Sequence, residues 1–245
     1  MTTRATAGDS LAATSAPFVE ALEGWAGSLP VVSFGKEILD GMDPSRMAVL
    51  VADMVNGFCH AGPLSSERVR GVVAPVVRLL EAAHAAGVPH YLLFRDTHRH
   101  DAEEFSSYPA HCVEGTEEAE TVPELSGLPF ADRFVTFPKN SISAALGTGF
   151  DAWLSEHPEV TEFVAVGNCT DLCLYQLVLH TKLRGNALHL GYRVTVPADC
   201  AQTFDVGVEV ARRVGGLPHD GDLLHVLFLH HMALNGVNVV ASVVA

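Results

Sequence analysis

From Met47 onward the chain alternates short apolar runs with longer amphipathic stretches. MAVLVAD is apolar until it ends at Asp53, and Glu67 to Ala86 carries apolar residues at helical spacing until Gly87 stops it. The alternation continues through HYLLFRD ending at Asp96, RFVTFP ending just before Lys139, and EFVAVG leading into the helix-like TDLCLYQLVLHTKLRG. YRVTVPAD and VNVVASVV read as two later strands. Strands that are apolar throughout and separated by helices predict an α/β fold, a mainly parallel sheet of about six strands with helices on both faces. The first 45 residues differ: an Ala/Ser/Thr-rich start precedes one amphipathic stretch, APFVEALEGWAG, and no strand signal follows. We read residues 1–45 as a mobile tail and a helix, and residues 46–245 as one domain without internal repeats. One segment breaks the short-loop rule. Between Asp96 and Arg133 there is little strand or helix pattern, and loops of that length in compact domains are usually functional or disordered.

Composition narrows the function classes. With 15 Lys+Arg against 29 Asp+Glu, the formal charge of −14 repels phosphate backbones and anionic lipid headgroups, which argues against nucleic-acid and membrane partners. No apolar run approaches the ~20 residues that span a bilayer, and MTTRATAGDSLAATSAPF lacks the apolar stretch of a signal peptide, so the expected location is cytoplasmic. The five cysteines, at 59, 112, 169, 173 and 200, form no CxxC pair and are expected to be free thiols in a reducing compartment.

In a parallel α/β sheet, ligands bind beyond the carboxyl ends of the strands. Asp53, Asp96, Lys139 and the turn leading to Cys173 all follow strand runs. Each alone reads equally well as a turn, cap or surface residue; together they mark one edge. Cys173 falls in GNCTDLCLYQ, in the first turn of a helix capped by Thr170 or Asp171, where unpaired N–H groups and the helix dipole favour thiolate and can hold an oxyanion. Asp53 is positioned in the pattern to take the thiol proton, and Lys139 to keep Asp53 ionised. Asp96, His98, Glu104 and His111 offer carboxylate and imidazole ligands suited to a divalent first-row metal such as Zn, Mn or Fe(II), with His100 and Asp101 as rivals.

These residues carry a resemblance. From Met47 to Asp205 the chain resembles the isochorismatase-like cysteine hydrolases, and within them the nicotinamidase-like branch, on VLVADMVNGF, TFPKNSISAAL and GNCTDLC in that order. The resemblance implies an Asp53–Lys139–Cys173 triad and an oxyanion hole from the N–H groups of Cys169 and Cys173. It also implies a non-proline cis peptide at Cys169–Thr170. DTHRHDAEEFSSYPAHC resembles the loop that holds the branch's metal through Asp96, His98 and His111, with Glu104 ligating directly or through water. The branch's frequent Asp-x-Gln-x-Asp-Phe appears here as Asp53-Met54-Val55-Asn56-Gly57-Phe58. Phe58, Tyr108 and Phe137 are candidate pocket walls. The implied activity is cleavage of a small amide, foremost nicotinamide in NAD salvage, by a homo-oligomeric enzyme. The alternatives are another small-amide or carbamoyl hydrolase, an isochorismatase, or a non-catalytic metabolite-binding module.

Overall fold

The computed structural model describes residues 10–245; the first part of the expected tail, residues 1–9, lies outside them. Helix α1 (Leu11–Gly27) starts at Ser10, whose side chain accepts from the Ala13 N–H. A short strand β1 (Val31–Ser33) follows it. The βα alternation then begins with β2 (Met47–Ala52), the single turn α2 (Asn56–Cys59), α3 (Glu67–Arg70), α4 (Val73–Ala85) and β3 (His90–Asp96). Next come the turn α5 (Pro123–Ser126), β4 (Phe134–Lys139), α6 (Phe150–Glu156), β5 (Glu162–Asn168) and α7 (Cys173–Ala187). The chain closes with β6 (Arg193–Pro197), β7 (Ala201–Gln202), α8 (Val208–Val214), α9 (Gly221–Leu234), β8 (Asn238–Val240) and β9 (Ser242–Val244). Among the described residues no helix is long and apolar enough to cross a membrane.

The expected fold class holds. The main sheet has 7 strands in the order β4-β3-β2-β5-β6-β8, with β7 beside β5, and every pairing is parallel. Alternate residues of β2 serve opposite faces. Val49 and Val51 pack with Leu79 and Leu80 of α4, and Ala48 and Leu50 with Leu174 and Leu177 of α7. All six residues of β2 are buried, which is why its sequence is apolar throughout.

Three expectations fail locally. The N-terminal region does contain a strand, because β1 pairs in parallel with β9, Val31 opposite Ser242. VNVVASVV is two strands: at Ala241 the backbone N–H donates to Pro30 O and the carbonyl accepts from the Asp199 N–H, so β8 stays in the main sheet and β9 joins β1. The helix expected from Glu67 to Ala86 is broken at Gly71, whose N–H caps α3 by turning back to Glu67 O.

The strand order explains the site. Moving outward from β2, the chain builds one side of the sheet with β3 and β4 and the other with β5, β6 and β8. The connections diverge between β2 and β5, the place where α/β sheets open a crevice. Ala52 pairs with Gly167 there, and a Cβ on Gly167 would lie 2.0 Å from Ala52 O, so this contact admits only glycine.

Candidate active site

Four neighbouring strand ends meet at this crevice. Asp96 ends β3 directly opposite Lys139 at the end of β4, Asp53 follows β2, and Asn168 ends β5. Asp53 sits at φ +50, a left-handed conformation that aspartate tolerates better than most residues. Three bonds fix it: its N–H donates to Phe94 O at 2.8 Å, its Oδ1 accepts from the Asp96 N–H at 2.7 Å, and its carbonyl accepts from Asn168 Nδ2 at 2.6 Å.

Lys139 is the hub. Its Nζ donates to Asp96 Oδ1 in a short contact, to Ser141 O at 3.3 Å and to Cys173 Sγ at 3.4 Å. It also lies 2.8 Å from Asp53 Oδ2, an ion pair outside hydrogen-bond geometry that leaves this oxygen without a hydrogen-bond donor. Burial alone would push the ammonium down, but Asp53 and Asp96 more than reverse this and raise its pKa well above the usual lysine range. Lys139 is therefore no solvated surface lysine. Burial pushes Asp53 up to about 6, with the Asp96 charge adding and Lys139 opposing. Burial also acts upward on Asp96, yet Lys139 and His98 outweigh it and hold that carboxyl below its ordinary range.

The nucleophile turn departs from expectation at three points. Helix α7 does begin at Cys173, but its cap position is Leu172, with no side-chain cap bond. Thr170 Oγ1 instead lies 2.8 Å from His225 Nδ1, and Asp171 accepts from Thr203 Oγ1 at 2.5 Å and lies 2.7 Å from His219 Nε2. The non-proline cis bond is Asn168–Cys169, one residue earlier than the resemblance implied. The motif marks the turn, not which of its bonds is cis. Finally, the Cys173 thiol is raised, not lowered: burial pushes it up and the two carboxylates add to this against the pull of Lys139. Helix-terminal dipoles are weaker than removal from water. The Asp53 and Asp96 oxygens and the Cys173 sulfur all lie within 4.8 Å of one another. Neither the Cys169 nor the Cys173 N–H donates to a backbone acceptor among the described residues.

Beside this group, ligand atoms of Asp96, His98 and His111 lie within 4.8 Å of one another, all three residues buried. His111 Nδ1 faces Pro109 O at 2.8 Å and His98 Nδ1 faces Asn140 Oδ1 at 3.4 Å, which turns both Nε2 atoms toward Asp96. His98 Nε2 is buried without a hydrogen-bond partner. Two imidazole nitrogens and a carboxylate, one nitrogen with nothing to satisfy it, fit a divalent first-row ion. Burial pushes His98 down but Asp96 and Glu104 pull it up further, so the field at this point attracts a cation. Glu104 is half-exposed and outside the ligand cluster, though it lines the adjoining cavity. Asp101 pairs with Arg99 at 2.9 Å and His100 is exposed, so neither rival joins the cluster.

A cavity of about 750 Å³ opens onto Cys173, Cys169, Asp96 and His111. Phe58 and Tyr108 line it, with ring centres 5.6 and 6.3 Å from that of His111. Phe137 does not. It points to the same face of β4 as Lys139 but two residues deeper, and packs on Phe94 with ring centres 5.2 Å apart. Sequence reasoning missed Phe105, whose ring centre is 5.4 Å from that of His98, and the two asparagines, 140 and 168. Both asparagines adjoin strand ends already singled out; Phe105 carried no signal.

His225 gives the turn a measurable pH signature. Burial pushes its imidazole down to about 4, with Arg68 adding and Asp222 and Asp171 opposing. It is neutral in the fold, so below its ordinary 6.5 the unfolded chain gains a proton that the folded chain does not. This contribution is complete above pH 6.5, shrinks as pH falls and is gone below about 4, a loss of roughly 3 kcal/mol. Urea unfolding at pH 7 and 4.5 should show a smaller acid loss in His225→Asn than in the parent; equal losses would refute the assignment.

Comparison with known proteins gives the family and the fold. The isochorismatase domain family profile matches residues 47–240, and the chain belongs to that family. Nicotinamidase 1 of Arabidopsis thaliana is 30% identical over 216 residues, 81% of this chain and 87% of the relative. The nicotinamidase of Escherichia coli K12 is 27% identical over 182 residues, 62% of this chain and 81% of that one. A nicotinamidase structure from Bacillus subtilis superposes with a TM-score of 0.61 at 25% identity, covering 80% of this chain and 99% of that one. A cysteine hydrolase structure from Pseudomonas syringae pv. phaseolicola shares the fold, with a TM-score of 0.67 at 23% identity over 87% of this chain and 93% of that one. Within the family, the chain is an amidohydrolase of the nicotinamidase-like branch.

Proposed function

We propose that the protein hydrolyses nicotinamide to nicotinate and ammonia through a thioester on Cys173. The observation that carries this reading is the convergence of Asp53 and Lys139 on Cys173, which lines a cavity together with Asp96 and His111 of the Asp96, His98 and His111 cluster. Cys173 Sγ attacks the carboxamide carbon as its proton passes to Asp53, which burial keeps near the pKa where a group both takes and returns a proton. The carbonyl electron pair moves to oxygen, where the free N–H groups of Cys169 and Cys173 receive it. Collapse expels ammonia, which carries away the proton from Asp53. A water then attacks the thioester, giving a proton to Asp53, and the second collapse returns that proton to sulfur and releases nicotinate. Lys139 keeps its charge throughout and balances the carboxylates beside it.

Asp96, His98 and His111 would hold a divalent ion, Zn, Mn or Fe(II), which when bound supplies a Lewis acid for the pyridine nitrogen and fixes the ring. Glu104, at the rim, is assigned a role through water. On the strength of the family resemblance, the enzyme is further assigned to the cytoplasm, to nicotinamide salvage for NAD, and to a homo-oligomer that sedimentation would detect.

The test is substrate discrimination. The purified protein should carry about one equivalent of a first-row metal, and metal removal should weaken nicotinamide turnover. Benzamide, which lacks the ring nitrogen, should be turned over on the order of 100-fold less efficiently by the metal-loaded protein. His98→Ala should lose the metal and raise KM for nicotinamide, yet leave Cys173 reactive toward iodoacetamide. Metal-free protein hydrolysing benzamide as fast as nicotinamide would leave only a general amidase.

A further inference from the structure

We propose that the cavity contains a second, apolar subsite that takes an apolar substituent on the ring of the amide substrate; this deepens the nicotinamidase reading and rests on it. The first observation is size. Cavities of ~300–1,000 Å³ accommodate drug-sized ligands, and at about 750 Å³ this one leaves most of its space empty around a single ring bearing a carboxamide.

The second observation is what lines the cavity. Asp96, His111 and Cys173 all do, and Lys139 donates to both Asp96 and Cys173. Cys169, in the turn that leads to Cys173, lines the cavity as well. The 64–69 and 204–219 segments add a mainly apolar lining, Leu64, Val69, Phe204, Val206, Val214 and Leu217, interrupted by Ser65, Ser66, Asp205 and His219. Val214 and Leu217 are 70% and 89% exposed, apolar side chains left in water at the wall of a substrate cavity. We take an apolar group on the ligand to cover them, beyond the reach of a bare pyridine ring held at Asp96 and His111.

The third observation is that this wall is anchored. Val206 and His219 bond reciprocally through their backbones at 2.8 and 2.9 Å, closing the neck of the loop that carries Val214 and Leu217. His219 stacks on Phe204 with ring centres 3.8 Å apart and binds Asp171, in the nucleophile turn, at 2.7 Å. The segment is thus tied at its neck to the turn that holds Cys169 and Cys173, which lowers the cost of ordering it on binding. The substituent is placed on the ring and not on the leaving nitrogen because Asp53, which protonates that nitrogen, is fully buried and does not line the cavity.

The experiment compares kcat/KM for nicotinamide, its 5- and 6-butyl derivatives and N-butylnicotinamide, with the matching benzamides in parallel. At least one ring-butyl compound should show about a tenfold lower KM than its unsubstituted parent, and N-butylnicotinamide should not turn over. Leu217→Asp and Val214→Asp should each collapse the butyl-to-parent ratio to about one, whereas Leu234→Asp, on the end of α9, should leave the ratio intact. Ring-butyl compounds no better than their parents overturn the subsite, as does a ratio unmoved by both wall variants. Productive turnover of the N-butyl compound overturns the substituent's placement. Failure of the nicotinamidase reading is separately visible, since the butyl ratio can be read on the benzamide series when nicotinamide itself is not preferred.

Discussion

Cys173→Ala is expected to abolish amide hydrolysis, with kcat falling on the order of 10⁴-fold or more, while Cys169→Ala keeps at least about a tenth of the parent rate. The two sulfurs stand four residues apart at the same cavity, yet only one of them touches the charge that activates it. Cys173 Sγ is 3.4 Å from Lys139 Nζ, whereas the Cys169 thiol meets Asn168 Oδ1 at 3.7 Å. The part of Cys169 that serves the reaction is its backbone N–H, which alanine retains. Alkylation separates the two independently of turnover: iodoacetamide should label Cys173 first and substrate should protect it, because Cys59, Cys112 and Cys200 are buried away from the cavity lining. Mass mapping that finds one of those three labelled first, or equal loss of activity from both alanine variants, would return the choice of nucleophile to the start.

The residues that lie at strand ends were readable from sequence because the strands themselves are. MAVLVA and the YLLF of HYLLFRD are apolar since each is covered on both faces, so the acids that follow them, Asp53 and Asp96, fall on one edge by pattern alone. What the pattern cannot carry is contact between strands. The burial of Lys139 depends on Asp53 and Asp96, which sit on two other strands, and nothing within TFPKNSIS announces that its lysine faces inward. Phe137 failed as a pocket wall for a related reason: depth along a strand decides whether a side chain reaches the crevice, and periodicity gives only the face. The capping of α7 went astray because Thr170 and Asp171 are ordinary cap residues locally, whereas their side chains are claimed by His225, Thr203 and His219 from the C-terminal part of the chain. That part also supplies the apolar wall of the cavity, through a loop whose sequence, VGVEVARRVGGLPH, shows no chemistry of its own.

Lys139→Met is expected to cost about 3–5 kcal/mol of stability as well as most of kcat, a larger structural effect than a strand-end lysine suggests. The wild-type ammonium is buried between two carboxylates that are themselves 0% and 2% exposed. Met has nearly the volume of the lysine stem, so packing is conserved and the loss is electrostatic: two acids are left facing each other out of water with no cation between them. With total stabilities of ~5–15 kcal/mol for ordinary domains, the variant should remain folded but with a visibly lower urea midpoint. Adding Asp96→Asn should recover part of that stability by removing one uncompensated charge, but no activity, since the lysine is still absent and a ligand of the proposed metal is gone as well. A divalent ion added to the single variant should also raise its midpoint, because it replaces part of the missing positive charge next to Asp96. A Lys139→Met protein as stable as the parent, with its midpoint unmoved by Asp96→Asn, would mean that the two carboxylates are not held ionised against each other, and that Lys139 does not set the charge on which Asp53 and Cys173 depend.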